Sequence, residues 1–253
     1  MEKKVLLLSD FVGLGNVAMA TARAVLTNLG CTAMCLPTAL ISNTWNYGAC
    51  AQLDTTDYLR RSLTVWQELG IDFDAVLIGY IAGEEQAQWL GGLCEKWRDA
   101  GVRIFLDPIF ADNGRLYKGI TPQRLEYLRQ LLKKVDYVLP NSTEACFLAQ
   151  TDEPEEAARK LAEPGSAEIV VTGADGAVLL CRDGCVERHP YTSVPGNYPG
   201  AGDAFTALFM GNVLSGLTPS QSIDKAIETT AAWIRQSLAE NWQGMGLPVE
   251  RYF

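Results

Sequence analysis

Histidine is nearly absent: His189 is the single one in 253 residues. With no second imidazole and no H-E-x-x-H, zinc-hydrolase chemistry has little support. Positive charge is also in deficit. The 21 basic and 30 acidic side chains leave a formal net charge of −9. That excludes binding to nucleic acid or to an anionic membrane, both of which require basic patches. No apolar run reaches the roughly 18 residues of a membrane span. Lys3–Lys4 followed by Val5–Leu8 is too short for a signal peptide, so a cytoplasmic protein is expected. The seven cysteines are odd in number, and their closest pairs are spaced C-x₃-C without the second Cys/His pair of a zinc site. They are expected to be reduced and mostly small core residues. The P-loop G-x-x-x-x-G-K-[ST] is missing as well, so any nucleotide phosphate must be held by another architecture. There is no Pro/Gly/Ser-rich linker, repeat or low-complexity tract. A single domain over residues 1–253 is expected.

What is there is an ordinary globular composition, 48% apolar and 20% charged. Short apolar runs alternate with longer helical patterns, the signature of a parallel sheet covered by helices. Strands are expected at Val5–Ser9, Thr32–Leu36, Ala75–Gly79, Val102–Leu106 and Tyr137–Leu139. Helices are expected near Asn16–Leu29, Asp57–Leu69, Glu84–Ala100 and Pro122–Lys134, then from Asn141 and over Glu155–Ala162. Ile169–Thr172, Ala177–Cys181 and Val186–His189 are short strands parted by Asp175-Gly176 and Asp183-Gly184. Asp-Gly between apolar runs favours hairpins, so an antiparallel edge is expected here. Two long helices, Asp203–Ser215 and Pro219–Leu238, close the chain.

Four segments have chemical potential. Gly200-Ala201-Gly202 runs directly into a helix carrying Asp203 in its first turn. Little side-chain bulk lets an anion approach amides at the positive end of the helix dipole. Asp203 is then placed to take a proton from an attacking hydroxyl. A capped Gly-rich turn is the plain alternative. Asp107-Pro-Ile-Phe-Ala-Asp112-Asn-Gly follows a strand, at the end where open α/β sheets bind ligands. Its two carboxylates suit hydrated Mg²⁺, against a reading as two consecutive turns. Asn141-Ser-Thr-Glu144 is a capping box on the plain reading and an Asn/Glu pair near a metal-bound phosphate on the functional one. Gly13-Leu-Gly15-Asn-Val-Ala18 formally matches the dinucleotide fingerprint. However, Cys31–Tyr47 holds no Asp or Glu to bind a ribose.

In this order the segments resemble the ribokinase-like superfamily, and within it the pyridoxal kinase group. Gly200-Ala-Gly-Asp203 and Val171-Thr-Gly-Ala-Asp-Gly176 are similar to superfamily motifs. Ser42-Asn43, Gly79-Tyr80, Asp107–Asp112 and Leu139-Pro-Asn-Ser-Thr-Glu144 are similar to the vitamin B6 branch. The resemblance implies an α/β, three-layer α/β/α ribokinase-like fold with a mostly parallel central sheet and an antiparallel edge hairpin. It implies an ATP- and Mg²⁺-dependent kinase for the hydroxymethyl group of pyridoxal, pyridoxine or pyridoxamine. Asp203 would be the base, with the amides of Gly200, Ala201 and Gly202 stabilising the transferring phosphoryl group. Asp107 and Glu144 would organise the metal, supported at the nucleotide phosphates by Asn141 and Asp112. Tyr117, Thr172 and Gly173 would lie along ATP. Ser9, Asn43, Trp45, Tyr47 and Tyr80 would line the ring pocket. A homodimer acting on small molecules is implied, and an accessory monovalent cation is left open.

The chain departs from that group at Asp10, where a His is usual, and at Thr44-Trp45, where the group reads His-Thr. The turn between Ser9 and Gly15 is about two residues shorter than the group's. Ala201-Gly-Asp-Ala-Phe205 is closer to sugar kinases, so a sugar or nucleoside substrate stays open. Hydroxymethylpyrimidine kinases are related but typically carry Cys at the position of Asp203. A non-catalytic B6- or nucleotide-binding protein is the alternative from outside the enzymes.

Overall fold

The computed structural model describes residues 2–44, 48–163, 165–196 and 198–253. The chain begins with β1 (Lys3–Val12), α1 (Ala18–Asn28), β2 (Cys31–Ile41), β3 (Gln52–Asp54) and α2 (Thr56–Glu68). There follow β4 (Ala75–Ile78), α3 (Glu84–Asp99), β5 (Arg103–Leu106), β6 (Ala111–Asp112), β7 (Arg115–Leu116) and α4 (Pro122–Leu132). Next come β8 (Tyr137–Val138), α5 (Ser142–Ala149), α6 (Pro154–Leu161), β9 (Glu168–Ala174), β10 (Ala177–Arg182) and β11 (Cys185–Pro190). The chain ends in α7 (Ala201–Leu214), α8 (Pro219–Ala239) and a short 3₁₀ turn, Val249–Arg251. It divides into two compact units, Met1–Asp74 with Thr192–Phe253, and Ala75–Tyr191.

In the first unit β1 pairs in parallel with β2, and β2 pairs antiparallel with β3. Val5–Leu8 are all buried, so both faces of β1 are covered, as an unbroken apolar run in a parallel strand requires. The β1–β2 register breaks between Ser9, opposite Pro37, and Phe11, opposite Leu40. Helix α7 is apolar all round, and every residue from Ala204 to Val213 is buried. Thr218 and Gln221 form a capping box at the start of α8.

In the second unit β4–β5, β5–β8 and β8–β9 are parallel, while β9–β10 and β10–β11 are antiparallel. The α/β class, with a mostly parallel sheet and an antiparallel edge hairpin, is therefore the one the chain adopts. Asp175-Gly176 and Asp183-Gly184 all have positive φ, the double left-handed geometry of a two-residue hairpin turn. Asn113-Gly114 has the same geometry and joins β6 to β7.

The differences from expectation are local. Strands β1 and β2 run several residues beyond the expected ends, because pairing resumes after Ser9-Asp10 and Pro37-Thr38 interrupt the apolar pattern. The edge strand β3 and the β6–β7 ribbon are two or three residues long and mostly exposed, so they carry no hydrophobic signal. All seven cysteines are free, but only Cys31, Cys94 and Cys181 are buried, so the core-filling role holds for those three. Among the described residues no helix is long and apolar enough to cross a membrane.

Candidate active site

In the first unit the candidate residues gather at the carboxyl end of β1 and the start of α7. Gly200 is the N-cap of α7 and is left-handed, φ +84°. A Cβ there would collide with the carbonyl oxygen of Asn16, so glycine is required by contact as well as by conformation. The Ala201 N–H is used in the turn, donating to the Tyr198 carbonyl at 3.0 Å. The amides of Gly202 and Asp203 have no backbone acceptor among the described residues. With the Gly200 N–H, which also has no backbone acceptor among the described residues, they are donors left to an anion at the end of the helix.

Asp203 accepts a hydrogen bond from the Ala18 N–H at 2.8 Å. Ala18 itself sits at φ +50°, a costly backbone for a residue with a side chain, and this holds its amide toward the carboxylate. Burial raises the Asp203 pKa, and the Ala18 amide opposes the rise. The C-terminal segment braces the turn. Asn16 N–H donates to the Met245 carbonyl at 2.8 Å, and Leu247 N–H donates to the Pro199 carbonyl at 2.9 Å. Ser9 and Asp10 are both 6% exposed, and the Ser9 hydroxyl donates to Asp10 Oδ1 at 3.1 Å. Asn43 is half-buried just past β2, where its amide donates to the Thr44 and Ala49 carbonyls. Trp45 and Tyr47 lie outside the described residues.

In the second unit Glu144 is the hub, 3% exposed. Its Oε1 accepts from the Phe110 and Ala111 amides at 3.0 and 3.3 Å, and its Oε2 from the Asn141 amide at 2.9 Å. Asn141 Oδ1 accepts from the Glu144 amide at 2.9 Å, and its Nδ2 donates to the Ala111 carbonyl at 2.8 Å. The capping box is thus real, and it also ties the start of α5 to the loop after Asp107. Burial, then the negative charge of Asp107, pushes the Glu144 pKa well up despite three amide donors. A divalent cation would relieve that excess of negative charge. The oxygen donors also suit Mg²⁺, which keeps waters and takes one or two carboxylates. Among the described residues no group of three or more His, Cys, Asp or Glu side chains is placed to hold a metal.

The remaining candidates of this unit fall around the same edge. Thr172 bridges to Asn141 and donates its N–H to the Pro140 carbonyl at 3.0 Å. Gly173 follows in a left-handed conformation beside Ser142. Asp112 is exposed, and its carboxylate caps the amide and side chain of Asn113. Tyr117 leaves the β6–β7 ribbon with its N–H on the Phe110 carbonyl, 2.9 Å. Tyr80 is 4% exposed, with the Arg124 guanidinium over its ring at 5.0 Å.

Sequence reasoning missed the backbone of Asn16 and Ala18, the C-terminal brace and the partnership of Asp10 with Asp203. Only Asp10 had a local signal, a second polar residue at the end of an apolar strand.

Comparison with known proteins finds relatives along most of the chain. Residues 24–247 match the family model described as phosphomethylpyrimidine kinase. A pyridoxine/pyridoxal/pyridoxamine kinase of Bordetella avium is 28% identical over 246 residues, spanning 89% of this chain and 81% of its own. A Bacteroides thetaiotaomicron protein crystallised with pyridoxal, provisionally named a phosphomethylpyrimidine kinase, is 28% identical. It covers 94% of this chain and 89% of its own, with a TM-score of 0.84. The pyridoxal kinase of Lactobacillus plantarum shares the fold, with a TM-score of 0.86 at 24% identity over 97% of this chain and 94% of its own.

Proposed function

The chain belongs to the phosphomethylpyrimidine kinase family, a family of phosphotransferases, and we propose that it transfers the γ-phosphoryl group of ATP to the hydroxymethyl group of a vitamin B6 vitamer, with residues 1–253 as one kinase domain. The observation that carries this reading is Asp203, held by the Ala18 amide in the first turn of a helix whose Gly202 and Asp203 amides are open. The carboxylate takes the proton of the substrate alcohol. The amides receive the charge that develops on the transferring group. The raised pKa keeps Asp203 a better base than a solvated carboxylate. Phosphoryl transfer asks mainly for positioning and charge stabilisation, and both are supplied here without a basic surface.

In the second unit Asp107 is the carboxylate that would meet a hydrated Mg²⁺, because Glu144 already uses three acceptor positions on amides. Glu144 would act through water and by holding the loop. The ion, when bound, offsets the charge of the nucleotide phosphates. Asn141, Thr172 and Gly173 line the same edge and suit a nucleotide; Asp112 and Tyr117 flank it. The likeness to a kinase of pyridoxine, pyridoxal and pyridoxamine and to a protein crystallised with pyridoxal supports the B6 assignment. A second reading, phosphorylation of a hydroxymethylpyrimidine, is favoured by the family match itself.

A panel assay separates these. Pyridoxal, pyridoxine, pyridoxamine, hydroxymethylpyrimidine, ribose, fructose and nucleosides are offered with ATP and Mg²⁺, and ADP and the phosphorylated product are measured. Preferred turnover of a B6 vitamer is expected. Turnover confined to the pyrimidine, or to sugars, would replace the reading, and no turnover of any alcohol would end it.

A further inference from the structure

Asp10 has no part in the roles above, yet it shares the first unit with the base. It lies one residue past Ser9 at the carboxyl end of β1, 6% exposed. The register of β1 and β2 breaks around it, since Ser9 pairs with Pro37 and Phe11 with Leu40. Such irregularities re-aim a side chain and recur beside active sites. Pro37, Thr38 and Ala39, across the break, carry no charge. Asp10 makes no ion pair among the described residues, and the ionisable group acting on it is a second acid, Asp203 on α7. Its one side-chain partner is the neutral Ser9 hydroxyl.

A buried carboxylate acted on by another acid, with no cationic partner among the described residues, lacks an opposite charge that an occupant can bring. In the B6 vitamers the group that distinguishes them is on the ring carbon next to the one bearing the hydroxymethyl group. Of the two ring positions that flank the hydroxymethyl-bearing carbon, the one with the distinguishing substituent offers a polar partner to a buried carboxylate near the base, and the other is a C–H. Resting on the B6 reading, we infer that Asp10 is a specificity residue that receives a protonated amine of the substrate, so that the site selects the aminomethyl vitamer over the aldehyde. The ammonium–carboxylate hydrogen bond is charge-assisted. An uncharged aldehyde leaves the carboxylate without its partner, the situation in which polar sites discriminate most strongly.

The test is equilibrium binding of pyridoxamine and of pyridoxal to wild type, Asp10→Asn and Asp10→Ser, with kcat and KM for each vitamer. Both variants should weaken pyridoxamine by about 10-fold or more, as loss of a charged hydrogen bond does, and pyridoxal by no more than about 3-fold. The loss should fall in KM more than in kcat. Equal weakening of both vitamers, or of neither, in the two variants would overturn the role of Asp10 and leave the B6 kinase reading standing. A wild type that binds neither vitamer would instead defeat that reading and this inference with it.

Discussion

Replacing Asp10 with Asn should stabilise the protein, and more so as pH rises. Burial, aided by the charge of Asp203, lifts the Asp10 pKa from 3.8 to about 7. A carboxyl with a raised folded pKa favours the fold while protonated, and that contribution is lost as pH climbs through the folded value. At ~1.4 kcal/mol per pH unit, the charged form costs the fold about 4 kcal/mol above pH 7, as an upper figure. The cost is partial near pH 5 and close to zero below pH 4. The Asn variant keeps an oxygen for the Ser9 hydroxyl and escapes the cost. Urea unfolding of both proteins between pH 5 and pH 9 should show a gap that widens by about 2 kcal/mol up to pH 7–8 and then levels off. At about 2–4 °C per kcal/mol, melting temperatures at pH 8 should differ by up to roughly 8–16 °C in favour of the variant. Parallel pH profiles, or a variant less stable than wild type at pH 8, would show that Asp10 is solvated or paired in the folded protein.

Asp203→Asn should keep nucleotide affinity and lose turnover by roughly 10²–10⁴-fold, the usual contribution of a general base. Near-normal kcat would remove the base assignment, and in wild type kcat should fall as pH drops through the raised pKa of Asp203. Glu144→Gln turns an N–H toward one of three backbone donors, Phe110, Ala111 or Asn141, that the carboxylate now satisfies. A destabilisation of about 2 kcal/mol is expected, together with a higher Mg²⁺ concentration for half-maximal activity. Wild-type values in both denaturant unfolding and Mg²⁺ titration would refute the role of Glu144 as hub.

Much of the fold could be read from the sequence because its signals are local. Burial on both faces writes β1, β4 and β5 as short apolar runs. Asp-Gly and Asn-Gly pairs mark turns whose positive φ those residues tolerate. Asn141 and Glu144 mark the start of α5 by the spacing of their own hydrogen bonds. What stayed hidden was either carried by backbone or joined across long stretches of chain. The amide of Ala18 and the carbonyl of Asn16 shape the surroundings of Asp203 and Gly200, and no side-chain pattern announces a main-chain donor. The brace from Met245–Leu247 joins Met245 to Asn16, at the other end of the sequence, and Leu247 to Pro199, again through main chain.

The acid groups show the same limit from the side of electrostatics. Net charge −9 treats 30 carboxyls alike, yet folding divides them. Exposed pairs such as Glu155 with Arg159, or Glu156 with Lys160, are satisfied by neighbours one helical turn away and contribute little. Asp10, Asp203 and Glu144 are instead pressed into low-dielectric surroundings, and the charge acting on Asp10 is Asp203 and on Glu144 is Asp107, in both cases another acid. At Asp10, whose side chain meets only a neutral hydroxyl, an amide would fold more stably. An arrangement that costs stability persists where its partners arrive from outside the chain. A cationic substrate nitrogen at Asp10, the hydroxyl donor of the substrate at Asp203 and the metal ion at Asp107 and Glu144 are the three partners that would complete it. Each should therefore raise the thermal stability of wild type when its ligand is added, by an amount that the matching carboxyl-to-amide substitution diminishes.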